Sequence, residues 1–169
     1  MSANAIAFVS DIGDVDTTAR DTLGSIRYDV NGVYKYVQFG ATRTGQVTAS
    51  LVKGDVVCYV LGTTADLDLL TLVDSANSVV GAGVVQGTNG VLAANVAVPA
   101  TGGPYYGWVK IRGLVTLSNA AGGSPAAGSI LTTTSATAKQ VTVITTATSQ
   151  VVGSYIDATN HIADVSFPY

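Results

Sequence analysis

Tyr105-Tyr106-Gly107-Trp108-Val109-Lys110-Ile111-Arg112-Gly113-Leu114-Val115-Thr116-Leu117 alternates more cleanly than any other stretch of the chain. Successive side chains of a strand point to opposite faces. Tyr105, Gly107, Val109, Ile111, Gly113, Val115 and Leu117 therefore share one face, and Tyr106, Trp108, Lys110, Arg112 and Thr116 share the other. One face is apolar and the other mixes aromatic, cationic and hydroxyl groups, which predicts a half-exposed antiparallel strand.

Upstream, Asn31-Gly32 separates Ile26-Arg-Tyr-Asp-Val30 from Val33-Tyr-Lys-Tyr-Val-Gln-Phe39. Both central residues of a type I′ turn need positive φ, so this arrangement predicts a hairpin with Val30 opposite Val33 and Ile26 opposite Val37. Ile26, Tyr28, Val30, Val33, Val37 and Phe39 then share a face, and Arg27, Asp29, Tyr34, Tyr36 and Gln38 lie on the other. Lys35 falls on the apolar face and must reach its edge or find a partner. Leu51–Leu61 contains a Lys-Gly-Asp turn feeding a nearly continuous apolar run, as expected of a strand covered on both faces. Ala65–Asp74 alternates at Leu67, Leu69, Thr71 and Val73 and is read as a strand, although a short helix capped by Thr64 fits as well. Further strands are expected near 78–86, 90–98, 129–133, 139–145, 151–157 and 162–166. About ten short strands at this spacing predict an all-β sandwich or partly closed barrel over residues 26–169. Residues 1–25 carry four Asp and little apolar periodicity and read as an N-terminal arm, either a disordered terminus or a segment that orders on a partner.

Two segments echo each other. Lys53-Gly-Asp-Val-Val57 resembles Ala127-Gly-Ser-Ile-Leu131, and Ser78-Val-Val-Gly81 resembles Gln150-Val-Val-Gly153. Two similar β units built into one domain are expected from this pattern.

Composition narrows the function. The 169 residues are 47% hydrophobic and only 11% charged, with 19 Gly, 21 Thr and 11 Asp but no Glu, which argues against a helical bundle. Uncharged stretches are broken by Gly, Thr, Asn and Pro, so no membrane-spanning helix is expected. Met1–Ser10 lacks a basic start and a long apolar core, so it does not read as a secretory signal. Cys58 is alone, which leaves no internal disulfide, and it reads as a core residue. The net charge of −3 and scattered cations argue against nucleic acid as a partner.

Catalytic chemistry has little to work with. His161 is the single imidazole, and no Gly-x-Ser-x-Gly elbow, His-Glu-x-x-His pair or phosphate loop is present. Asp11-Ile-Gly-Asp-Val-Asp16 lacks EF-hand spacing, so Asx turns explain it better than a cation, and Asp66 and Asp68 are read the same way. No enzyme, metal or cofactor is expected. The Trp108, Lys110 and Arg112 face fits a protein interface, where Trp, Tyr and Arg are common anchors. The 35 uncharged residues from Ser75 to Val109 support that choice, because a surface without charge must be covered. The candidate interface comprises Ile6, Phe8, Tyr34, Tyr36, Tyr105, Tyr106, Trp108, Lys110 and Arg112.

Leu23-Gly-Ser-Ile-Arg-Tyr28, Tyr34-Lys-Tyr-Val-Gln-Phe-Gly40, Lys53-Gly-Asp-Val-Val57 and Gly107-Trp-Val-Lys-Ile-Arg-Gly-Leu-Val115 together resemble the head decoration (cement) proteins of tailed bacteriophages. Ala127-Gly-Ser-Ile-Leu131 and Val151-Val-Gly-Ser-Tyr-Ile156 extend the likeness, which covers roughly residues 23–157. The resemblance implies a tulip-like or barrel-like β domain that forms homotrimers on the capsid exterior of the virion. Its partner would be the major capsid protein, its arm would lie on the shell, and it would have no catalytic residues. The alternative is a receptor-binding β module of a phage tail or fibre, with Tyr105, Tyr106 and Trp108 as an aromatic platform for a glycan.

Overall fold

The computed structural model describes residues 8–39, 52–59, 71–74, 88–92, 105–133, 140–144 and 151–167. Within them the chain is all-β. Eleven strands form one sheet: β1 (Val15–Asp16), β2 (Ile26–Asp29), β3 (Gly32–Phe39), β4 (Val56–Tyr59), β5 (Thr71–Asp74), β6 (Thr88–Leu92), β7 (Tyr105–Thr116), β8 (Ile130–Thr133), β9 (Val141–Val143), β10 (Gly153–Asp157) and β11 (Ile162–Ser166). The expected strand over 65–74 is present from Thr71 onward. The expected strand over 78–86, and with it half of the internal echo, lies outside the described residues.

The order is β2-β3-β5-β4-β6-β7-β11-β10-β8-β9, with β1 on β7, so the sheet path is open and ends at β2 and β9. All pairings between strands are antiparallel except β3 with β5. β7 is the hub. β3 runs along one edge from Tyr105 to Arg112, while β1, β6 and β11 follow one another along the opposite edge. Val33 pairs with Arg112 but Tyr34 with Lys110, leaving Ile111 as an extra residue in a bulge that bends β7.

The alternation of β7 is as its sequence implies. Val109, Ile111, Val115 and Leu117 enter the large core with Val37, Val56, Val57, Val91, Leu131, Tyr155, Val165 and Phe167. Val56 and Val57 are adjacent and both fully buried, as expected for a strand covered on both faces. The exposure expected for the other face needs correcting: Trp108 is 1% exposed, and only Arg112, Leu114 and Thr116 of that face are open to solvent.

The hairpin forms with a different turn. Asp29 pairs with Gly32 and Ile26 with Lys35, so Val30 and Asn31 make the turn and Gly32 begins the returning strand. Gly32 belongs in the strand because β7 passes so close that a Cβ there would lie 2.4 Å from the Arg112 carbonyl oxygen. Asp29 supports the shifted turn by accepting the Asn31 N–H at 3.2 Å. The pairing moves by two residues, so the faces remain as predicted, and Tyr28 instead of Val30 stands opposite Val33. Lys35 is half-buried beside Val37, and burial lowers the pKa of its ammonium.

The Gly-containing echo is a repeated turn. Asp55 N–H donates to Val52 O and Ser129 N–H to Ala126 O, each at 3.0 Å, with Gly54 at φ +93° and Gly128 at φ +85°. In both, the fourth side chain reaches back: Val52 N–H donates to Asp55 and Ala126 N–H to Ser129. A third copy precedes β2, where Ser25 N–H donates to Thr22 O and Gly24 has φ +83°. The first and last copies even share their neighbour. Gly24 and Ser25 bracket Tyr36, as Gly128 and Ser129 bracket Tyr155, through paired backbone bonds of 2.7–2.9 Å. A Gly at the third position is required because the turn demands positive φ there.

The three copies differ in what surrounds the glycine, and this yields a prediction. A Cβ at Gly128 would meet nothing within 4 Å, whereas one at Gly54 would lie 2.7 Å from both Ser118 N and Thr116 O. Gly128→Ala should cost only backbone strain, about 1–2 kcal/mol. Gly54→Ala should add overpacking of about 1–3 kcal/mol to that strain. Urea unfolding of the two variants, monitored by far-ultraviolet circular dichroism, measures the difference.

Candidate functional site

The face of β7 opposite the main core is the candidate site, and the N-terminal segment covers it. Tyr34 and Tyr36 of β3 and Trp108 of β7 are buried together, with Phe8, Ile12, Leu23 and Tyr106 packed around them. Cross-strand registration brings them together, since Tyr36 is the direct partner of Trp108 and Gln38 that of Tyr106. Phe8 meets the indole edge-on at 5.3 Å, Tyr36 lies tilted at 5.1 Å, and Tyr36 stacks on Tyr106 at 6.5 Å.

A polar network closes the cluster. Trp108 Nε1 donates to Ser10 Oγ at 2.9 Å, and the Ser10 hydroxyl in turn donates to Asp21 Oδ2. The same carboxylate accepts the backbone N–H groups of Val9 and Ser10, both at 3.0 Å. Arg27 on β2 donates to Ser10 O at 3.1 Å and lies over the Phe8 and Trp108 rings at 5.7 and 5.9 Å. Burial alone would raise the Asp21 carboxyl. The Ser10 hydroxyl, the two backbone donors and the Arg27 charge outweigh it and hold the group below its usual range. Farther along, Arg20 N–H donates to the Tyr36 hydroxyl at 3.1 Å, Arg20 pairs with Asp16 at 2.8 Å, and β1 adds backbone pairing to Gly107 and Tyr106.

The proposed interface residues therefore separate. Phe8, Tyr34, Tyr36, Tyr106 and Trp108 meet in this cluster, and Lys110 lies at its edge with Nζ 5.1 Å from the Tyr34 ring centre. Lys110 also donates to Asn31 O and Leu114 O, tying the hairpin turn to β7. Tyr105 points the other way and packs against the main core, so Tyr105, Tyr106 and Trp108 do not share one open platform. Arg112 is solvent-facing, and Ile6 lies outside the described residues. Ser10, Asp21 and Arg27, which bind the segment down, were missed. Asp21 is the last of four Asp in the arm, and nothing in its sequence context sets it apart from the other three.

The outer surface carries a second feature. Ile130, Ser154, Asp164 and Leu114 are successive cross-strand partners over β8, β10, β11 and β7. Leu114 is 58% exposed, Ile130 and Ile156 are exposed nearby, and Arg112 flanks the row opposite Ser166. Beside Leu114, a groove of about 660 Å³ runs under the hairpin turn between Val30, Tyr34, Lys53 and Lys110.

Among the described residues no three His, Cys, Asp or Glu side chains gather as metal ligands, and no helix is long and apolar enough to cross a membrane. Asp14 accepts the Asp11 N–H and Asp16 holds Arg20, so these carboxylates serve the segment locally. His161 occupies the turn between β10 and β11 at φ +55°, its carbonyl accepting Leu117 N–H. Cys58 pairs in register with Val73 and Thr88. No family model matches the chain, and no curated protein or solved structure is significantly similar to it.

Trp108→Phe keeps an aromatic ring but removes the indole N–H and part of the buried volume. It should destabilise the protein by about 2–3 kcal/mol. Arg112→Ala, on the open part of the same strand face, should stay within about 0.5 kcal/mol of the parent. Chemical denaturation of both variants measures the contrast.

Proposed function

We propose that the chain is a structural capsid-decoration protein of a tailed bacteriophage, bound as a homotrimer to the major capsid protein on the outside of the head. The observation that carries this reading is the solvent-facing row across β8, β10, β11 and β7. In a chain with 11% charge, that row sets Leu114 and Ile130 in the open, where a contact with a larger surface would cover them. The likeness of texture supports it as well, since Leu23-Gly24-Ser25, Lys53-Gly54-Asp55 and Ala127-Gly128-Ser129 are three instances of one turn that launches a strand. The open path from β2 to β9, folded back by the additional β3–β7 pairing, fits a sandwich or a partly closed barrel as the finer form of the fold.

A decoration protein works by counting contacts. Each copy in a trimer engages the lattice weakly, and effective concentration turns several such contacts into firm attachment. A ligand that binds the assembled shell and not its dissociated subunits stabilises the shell by mass action.

Native mass spectrometry of the purified chain, with co-sedimentation on purified expanded phage heads, tests the proposal. A trimer that pellets with heads is expected, and Leu114→Asp with Ile130→Asp should abolish pelleting while the β signal of circular dichroism is kept. A monomer that stays in the supernatant would refute it.

A further inference from the structure

We propose that Phe8–Ile12 is a releasable strap over the aromatic floor of Tyr34, Tyr36 and Trp108, and that the Asp21 carboxylate is its catch. The contacts of the strap are of an unusual kind for a β protein. No residue of it belongs to a strand, and Val9 and Ser10 give their N–H groups to a side chain instead of to a neighbouring strand. One carboxylate thus gathers three donors, the Val9 N–H, the Ser10 N–H and the Ser10 hydroxyl, and through that hydroxyl it also holds the Trp108 indole. Removing its charge loosens all of them together. A side-chain catch can open while the β7 ladder to β3 and β11 stays whole, because none of those backbone bonds passes through the strap. Release uncovers Trp108, the single tryptophan of the chain.

The groups around the catch set the direction of its response to acid. From β2 the Arg27 charge acts on it while the guanidinium holds Ser10 O, from β7 the neutral Trp108 meets it through the Ser10 hydroxyl, and from β3 the Tyr36 hydroxyl takes the N–H of the adjacent Arg20. Within the segment itself, Asp16 is engaged by Arg20, and Asp14 takes the Asp11 N–H. The Asp21 carboxyl lies below its ordinary value in the folded protein. Its contribution is therefore complete above the ordinary carboxylate range and is lost as pH falls through the lowered value. The inference holds whether or not the protein belongs on a capsid.

Acrylamide quenching of Trp108 fluorescence in the full chain tests it, with far-ultraviolet circular dichroism followed in parallel. Acidification of the parent protein should raise quenching several-fold and shift emission to the red before the β signal is lost. Asp21→Asn should already be strongly quenched at neutral pH with its β signal intact. Ser10→Ala, which keeps both backbone donors on the carboxylate, should fall between the two, and Asp164→Asn, on the exposed outer face of β11, should match the parent. If Trp108 became accessible only together with loss of the β signal, the strap would not be a separate unit. Parent-like quenching in both Asp21→Asn and Ser10→Ala would likewise overturn the proposal. Should Asp21→Asn fail to fold, the acid titration of the parent and the Ser10→Ala measurement still decide it.

Discussion

Four strands of the described sheet, β1, β3, β6 and β11, are arranged around the satisfaction of β7. Its backbone is paired on both edges over most of its length, with β3 on one side and β1, β6 and β11 on the other. Its odd-numbered side chains fill the main core, and of its even-numbered ones Tyr106 and Trp108 are covered as well. A strand in that position must bury an indole, and a buried indole N–H without an acceptor costs about 1–3 kcal/mol. Ser10 supplies the acceptor, Asp21 holds Ser10, and Arg27 holds the Ser10 carbonyl. The placement of the N-terminal segment thus follows from one polar atom on the central strand.

The fold was legible where local chemistry and pattern agree. The alternation of Tyr105–Leu117, the apolar run at Val56 and Val57, and the Lys53-Gly54-Asp55 turn all depend on period and on positive φ, which residue type reveals. The turn of the first hairpin was misplaced by the same logic. Asn31-Gly32 is a strong local signal, but Gly32 is needed where β7 approaches its Cα, a contact between residues 80 positions apart that no local rule contains. Tertiary proximity overrode turn preference, and the even shift in pairing preserved the faces.

The candidate site was half legible. The period-two pattern placed Trp108, Tyr106 and Lys110 on one face correctly, and cross-strand pairing of two predicted strands is enough to bring Tyr34 and Tyr36 beside them. Burial of that face was not legible, because the cover comes from Phe8, Ile12 and Leu23, which have no strand or helix period. Irregular segments bury side chains one at a time, so their hydrophobic residues carry no repeat to detect. The outward row of Ile130, Ser154, Asp164 and Leu114 was hidden for a related reason: it runs across four strands and exists only once their register is known.

The absence of Glu gains a physical meaning from the hydrogen bonds. Asp14, Asp21, Asp29, Asp55 and Asp157 each accept a backbone N–H, and in four of these the donor lies two or three residues away. A carboxylate one methylene from the backbone reaches such donors in a tight turn, which is why Asp favours turns and caps. Acidic residues here are building material for irregular backbone. Asp55 shows the extreme, fully buried between Val52 N–H and the Ser118 hydroxyl. Carboxylates used in this way contribute less open charge than their number suggests, in a chain that has only eight Lys and Arg to add to them. The outer sheet face then remains weakly charged, with Asp164 and Arg112 set among Leu114, Ile130, Ser154 and Thr116. Turn chemistry and surface charge are thus linked in this chain, because a carboxylate drawn into a turn or cap is withdrawn from the open sheet face.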